Sequence, residues 1–452
     1  MIMTKYIETP LNDRLSAKFD LAILRETDEA TKTIRKEAFA FFQQNGLPSI
    51  KHEEWRFTNM LPFLKDAYEL DVLEHNISNE EFNRTAQLVS EHLAALSDSM
   101  KGTHKGAYRI VCINGKLNEE LSVLPDNNQL RVLPFADAIE QPLFQKHFGK
   151  IARHNGFSAV NTALFPEMLM LHVPDNSIVD KPVHLVNVYL TESAVWLNNR
   201  HLVVLGKNAE LDLIETILTD DTENPFFVNS VTEIALDVQA HFNHYDIQTG
   251  RQNLRLVQHT EAHQEQHSNY SNYTFTLPGS DVVRNTLNLF MDKAEEECHL
   301  YGLYFTAGKQ VVDNHTEVHH QFPNCESNQL YKGVLTNHSK AVFNGKIYVY
   351  EDAQKTNAFQ QSNNILLSDK ATVDAKPQLE IFADDVKASH GTTVGQLDKE
   401  ALFYLRSRGI GEDSARNMMI NAFAFDVTQK VKHEALRQYL ENLIAEKLQA
   451  LS

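Results

Sequence analysis

Residues 329–386 read QLYKGVLTNHSKAVFNGKIYVYEDAQKTNAFQQSNNILLSDKATVDAKPQLEIFADDV. Short apolar or alternating runs recur in this stretch: QLYKGVLT, AVFNGKIYVY, NNILLS and QLEIFADDV. Asn, Asp, Ser, Lys and Gly separate them. No helix-length apolar stripe lies between the runs, and regular short strands with turn punctuation predict an all-β region. The runs repeat at about one to two dozen residues, which suits the coils of a solenoid. Long polar connections weigh against two-residue hairpins. Periodicity alone leaves a β-sandwich open.

The same texture extends upstream through HLYGLYF, YTFTLPG, VTEIALDVQAHF, AELDLIETIL and HLVVLG, back to about residue 155, with loose repetition and no clean consensus. Both flanks read differently. Between Asn12 and Asn45, the residues Ile34, Ala38, Phe41 and Phe42 form one apolar helical stripe that Gly46 and Pro48 end. KHEEWRFTNMLPFL follows, with Trp55 and Phe57 read as buried. Ser78 and Glu81 form a capping-box pattern for a helix continued by Leu88, His92 and Leu96. From about Ala107, VCING and QLRVLPF read as short strands around turns. Near the other end, Asp398 is placed to cap a helix through Ala401, Leu402 and Leu405, with Gly409 to stop it. Ala415, Met418, Met419 and Ala422 mark a second helix; Leu436, Tyr439, Leu440, Leu443 and Ile444 mark a third. The expected organisation is a mainly helical region 1–154, a β core 155–395 and a helical region 396–452.

Composition narrows the function. The 452 residues carry 42 Lys and Arg against 60 Asp and Glu, a formal charge of −18, so no broad cationic surface for nucleic acid is expected. No apolar run approaches the roughly 18 residues of a membrane helix. The first residues lack an apolar core and a small-residue cleavage site, so a soluble, cytoplasmic protein is the expectation. Three cysteines, Cys112, Cys298 and Cys325, are too few for a disulfide framework, and no C-x-x-C supports a four-thiolate centre. Cys112 and Cys298 lie in apolar strand contexts and read as buried, inert thiols. There is no P-loop, no G-x-G-x-x-G, no H-E-x-x-H and no G-x-S-x-G.

Three constellations remain. NHTEVHHQFPNC carries His315, His319, His320 and Cys325. Imidazole and thiolate suit zinc or iron. On a strand, however, His315 and His319 share one face while His320 takes the other, so polar residues of a half-exposed strand are the simpler reading. EIFADDVKASHGTTVGQLD places Asp384 and Asp385 ahead of His390. General acid–base chemistry is conceivable there, and a turn leaving the solenoid, loosened by Gly391 and Gly395, is the plainer alternative. YLRSRGIG puts Arg406 and Arg408 at a helix end, where cations complement the helix dipole.

AQKTNAFQ, KPQLEIFADDVK, SHGTTVGQLD and ALFYLRSRGI, in unbroken order over about 90 residues, resemble the SufB/SufD family of iron–sulfur cluster assembly scaffolds, and its SufD members most closely. KHEEWRFTNM and NHTEVHH extend the resemblance over most of the chain. It implies a mainly β fold with α: a right-handed parallel β-helix core flanked by helical N- and C-terminal regions. It also implies pairing with a SufB-like paralogue and a SufC-like ABC-type ATPase docked on the C-terminal helices, around Phe403, Tyr404, Arg406 and Arg408. A homodimer is open to the isolated chain. The histidine of the SHG motif, here His390, is by this resemblance a ligand for iron or a transient iron–sulfur cluster, shared with a cysteine of the partner. Mixed His and Cys ligation of clusters is chemically sound. Many members carry Cys two residues before that histidine; Ala388 stands here, so no thiolate role survives at that position and the main sulfur acceptor is expected to be the partner. The rival readings are a β-helix enzyme acting on acidic polysaccharide through Asp384, Asp385 and His390, and a structural homo-oligomeric solenoid.

Overall fold

The computed structural model describes residues 10–449 except 66–67, 71–77, 100–106, 126–127, 221 and 252. Its centre is two facing sheets, of ten and nine strands. From Val183–Tyr189 to Lys387–Gly395, consecutive strands alternate between the sheets, and each pairs in parallel with the strand two ahead of it. That is a parallel β-solenoid of about eight turns. Val282 faces Val311 and Val311 faces Lys340, a step of 29 residues per coil. The one-to-two-dozen repeat in the sequence is thus a strand with its turn, half a coil. Parallel pairing also disposes of the sandwich, whose sheets are antiparallel.

One bend of each coil is made by a single residue in the left-handed region: Asn176, Asn208, Gln239, His267, Glu295, Asn324 and Lys355, with φ between 54° and 63°. The bends stack. Asn208 N donates to Val238 O at 3.0 Å, Gln239 N to Gln266 O at 3.0 Å and Asn324 N to Gln354 O at 3.0 Å. Asn and His take this conformation more readily than most residues, while Gln, Glu and Lys are unusual in it and are held there by the ladder of neighbours.

Inward-facing side chains stack in rows along the axis. Leu256, Val283, Val312, Ala341 and Val373 form one such row in the nine-stranded sheet. Each buried aliphatic residue contributes about 1.5–3 kcal/mol relative to exposure. The ten-stranded sheet sends polar residues inward as well, among them Asn272, Gln329 and Gln360, all buried. Helices cover the outer faces. Trp55, Met60 and Phe157 pack on Trp196, Phe227, Val257 and Val282 of the nine-stranded sheet. Ile420, Val427, Leu440 and Ile444 pack on Tyr245, Phe275, Leu303 and Phe305 of the other. With both faces of many strands covered, apolar runs replace the clean alternation of a half-exposed sheet.

The N-terminal helical stretch is two helices, Pro10–Arg25 and Glu29–Asn45. The break falls at Asp28, whose carboxylate caps the second helix by accepting from Thr31 N at 2.7 Å. The capping box forms as read: Ser78 N donates to Glu81 Oε2 at 2.8 Å and Glu81 N to Ser78 Oγ at 3.2 Å. The side chain of Leu96 lies outside the described residues. The ten-stranded sheet also takes in Tyr108–Ile113, ahead of residue 155.

The two ends of the solenoid differ. At the N-terminal end, short antiparallel strands, Lys116–Leu117 and Arg131–Pro134, close the two sheets. At the other end, Thr372–Ile381 and Lys387–Gly395 each pair on one side only.

Candidate functional site at the open end of the solenoid

Lys387–Gly395 is the last rung of its sheet. Ala388 packs partly against the core between the sheets. His390, two residues on, shares the face of Ala388 by strand alternation. Its register partner is Gln360. His390 is exposed, as are Ser389, Gly391 and Thr392 beside it. Apolar side chains surround this end in unusual number: Phe359, Ile381, Val394 and Phe382 are all exposed, the last by 62%. An unpaired strand edge leaves backbone groups able to pair with another strand, and here an apolar rim borders it.

Asp384 and Asp385 occupy the exposed turn between the last two strands. The backbone of Asp385 anchors that turn to the coil below, its N–H donating to Gln354 Oε1 at 2.9 Å and its carbonyl accepting from Lys355 N. Neither carboxylate hydrogen-bonds His390.

The histidine-rich strand Val311–His320 disperses its side chains, as alternation requires. His320 points inward, fully buried, with Nε2 2.8 Å from Ser327 Oγ. Burial lowers its pKa to about 3. His319 is stacked outside between Phe290 and Tyr348, with ring centroids 4.3 and 4.6 Å away. His315 bridges two carboxylates, Nδ1 3.3 Å from Glu54 and Nε2 3.0 Å from Asp313. Cys325 is buried. Burial pushes the thiols of Cys112 and Cys325 up to about 12 and that of Cys298 well above its ordinary value, which keeps all three protonated and inert. Among the described residues, no three His, Cys, Asp or Glu side chains gather as a metal-holding group. His390 stands at the open end as a single exposed imidazole.

Two motifs noted separately in the sequence turn out to be one contact. KHEEWRFTN docks on the Val311–His320 strand and its neighbours. Asp313, wholly buried, accepts from Thr58 and pairs with Arg284. The Arg284 guanidinium lies over the Trp55 ring at 4.3 Å. Glu54 pairs with Lys346, and Glu53 with Lys376 at 2.6 Å. The His315 hydrogen bond and Lys346 hold the Glu54 carboxyl down at about 2 against the effect of burial. Sequence reading missed this clamp, since its halves lie some 260 positions apart; the one local hint was a Trp flanked by acids and an Arg.

The helix Lys399–Ser407 starts where expected, Asp398 accepting from Glu400 N at 2.8 Å, and Gly409 follows its end with φ 88°. It buries none of its residues. Phe403 is 74% exposed and Tyr404 also stands in solvent. Arg406 pairs with Glu412 at 3.1 Å, and Arg408 reaches the Tyr404 hydroxyl at 3.1 Å. All four residues are exposed.

Comparison with known proteins accords with this architecture. Residues 188–423 match the family described as SUF system FeS cluster assembly, SufBD core domain, and residues 14–185 match the SufBD protein N-terminal region. An iron–sulfur cluster assembly SufBD family protein of Synechocystis sp. is 29% identical over 98% of this chain and 96% of its own length. The iron–sulfur cluster assembly protein SufD of Escherichia coli is 28% identical over 90% of each chain. The chloroplastic protein ABCI7 of Arabidopsis thaliana is 25% identical over 96% of this chain and 88% of its own. A two-sheet parallel solenoid with helical flanks, matched along nearly its whole length, leaves one assignment: this chain belongs to the SufBD family of iron–sulfur cluster assembly proteins and is SufD-like.

Proposed function

We propose that this chain is the SufD-like, non-catalytic subunit of a SUF-type scaffold that builds iron–sulfur clusters and hands them to apo-proteins. It pairs with a SufB-like paralogue through the open end of its solenoid, and a SufC-like ATPase docks on the C-terminal helices around Phe403, Tyr404, Arg406 and Arg408. The nascent cluster, or its iron, is cargo held between chains. His390 is this chain's ligand to it and a cysteine of the paralogue completes the set. The observation that carries the reading is the last coil: two strands with free edges, an apolar rim and an exposed imidazole in one place. One donor suits cargo that must leave, because a closed set of four protein ligands would retain it.

Among the described residues no helix is long and apolar enough to cross a membrane. The polysaccharide reading asks for carboxylates set across a groove from each other; Asp384 and Asp385 are neighbours on one exposed turn.

The test is anaerobic affinity purification of the tagged chain from its own host, with the co-eluting proteins identified. The expected result is an ABC-type ATPase and a cysteine-bearing paralogue, with iron in the complex that His390→Ala removes. Elution of the chain alone, or an unchanged iron content in the His390→Ala complex, would sink the corresponding half of the proposal.

A further inference from the structure

The register of the last three coils bears on how His390 is held. Gln329, Gln360 and His390 occupy the same inward position on successive strands. Gln329 and Gln360 are both buried. Gln360 Nε2 donates to Gln329 Oε1, one coil back, at 3.1 Å. Gln329 Oε1 also accepts from Thr316 Oγ1 at 2.8 Å. The two amides thus share one hydrogen bond, in which the Gln360 N–H is directed back along the solenoid. Gln360 Oε1 is sealed from solvent and has no hydrogen-bond partner. The amide is also confined from the facing sheet: a Cβ on Gly345 would fall 2.3 Å from Gln360 Nε2. One coil ahead in register, a strand spacing of about 4.8 Å away, stands His390.

We propose that Gln360 is the positioning residue of His390, its Oε1 accepting one imidazole N–H so that the other ring nitrogen presents its lone pair at the open end. An imidazole binds metal through a nitrogen that carries no proton, and which nitrogen that is depends on the hydrogen bond made by the other. A buried, unpartnered acceptor one coil behind the ring would settle the tautomer by accepting its N–H. It also draws the ring back against the core, where an exposed side chain would otherwise sample several rotamers. This inference rests on the reading of His390 as a ligand.

The full-length chain, perdeuterated and labelled with 15N-histidine, tests it at a pH where the imidazoles are neutral. The His390 resonances are assigned by their loss in His390→Ala. A single dominant tautomer is expected in the unmodified protein, a mixture in Gln360→Met, and a single tautomer again in Gln360→Glu, which restores an oxygen acceptor. Gln329 keeps its Thr316 donor in both variants, and far-UV circular dichroism checks that they fold. In complexes purified anaerobically from the host, Gln360→Met should lower bound iron about 10- to 100-fold, with Gln360→Glu recovering most of it. An unchanged tautomer in Gln360→Met, while His390→Ala still strips iron, overturns the Gln360 assignment and leaves the ligand reading standing. Iron unaffected by His390→Ala overturns the ligand reading, and the role of Gln360 goes with it, even if the tautomer responds.

Discussion

Replacing Asp313 by Ala should detach the N-terminal region from the solenoid without unfolding the solenoid itself. Asp313 is wholly buried and Arg284, its partner, is 2% exposed at the side chain. The carboxylate also accepts from the Thr58 hydroxyl. Burial alone would raise its pKa, but Arg284 and His315 hold it far below the usual carboxylate range, so it is ionised in the folded chain. Removing one member of a buried ion pair leaves the other charge desolvated and uncompensated, which costs about 3–5 kcal/mol. At 1.4 kcal/mol per factor of ten, this is about two to three and a half orders of magnitude in a local opening equilibrium. A chain of this size with separable layers will not unfold in one step, so hydrogen exchange by mass spectrometry is the suitable assay. Protection should fall by that factor over residues 53–60, and stay within threefold in the solenoid strand Val311–His320 and in the helices Glu412–Thr428 and Glu434–Gln449 on the opposite sheet. The double variant Arg284→Met/Asp313→Leu, which removes both charges, should recover most of the loss. If Asp313→Ala changes exchange at 53–60 by less than threefold, or the double variant is no better than the single one, the pair is not what holds this layer down.

The clamp has an acid limit. Glu54 has a folded pKa of about 2, below its unfolded value of 4.5. Its contribution is therefore complete above about pH 4.5 and is lost as the pH falls towards 2; the urea midpoint of Glu54→Gln should lie below that of the parent at pH 6 and converge on it near pH 2. At Gly302 an added Cβ would fall 2.2 Å from the Tyr331 ring, so Gly302→Ala should cost about 1–3 kcal/mol by overpacking, read as a lowered thermal midpoint. Lys332 binds Asp426, the Phe423 carbonyl at 3.0 Å and the Phe423 ring at 4.2 Å; Lys332→Ala should speed exchange in the C-terminal helices by about tenfold, roughly 1–2 kcal/mol, and leave residues 53–60 unchanged. His390→Ala, at an exposed position, should alter the thermal midpoint by no more than about 0.5 kcal/mol equivalent, so any loss of iron in the complex is a loss of ligand and not of fold.

The solenoid was legible in its strands and less so in its coils. Runs such as AVFNGKIYVY announce strands because both of their faces are covered over much of their length. The unit of repeat was read at half its true length, because strands that neighbour each other in sequence lie in different sheets and only register shows it. Caps at Asp398 and Ser78 were visible because their hydrogen bonds close within four residues. Glu295 and Lys355 at left-handed bends were not, since nothing local favours those residues there and the stacked coils impose the conformation. His319 shows why a cluster in sequence is not a cluster in space: its neighbour His320 serves the interior while it lies between two aromatic rings. The candidate site divides the same way. His390 was picked out by its motif, whereas Gln360 carries no signature, and its relation to His390 depends on a register that only the folded coil defines.

The ends of the solenoid are unlike, and on the proposed pairing that sets a valency. Among the described residues, two short antiparallel strands finish the N-terminal end, while strands of nine and ten residues stand open at the other. A rod with two such termini would polymerise without limit. If the proposed pairing uses the long open end alone, each end-on union uses up the means of making another, and growth halts at a pair. Cargo held at the seam of that proposed pair would be covered by both chains and opened to solvent when they part.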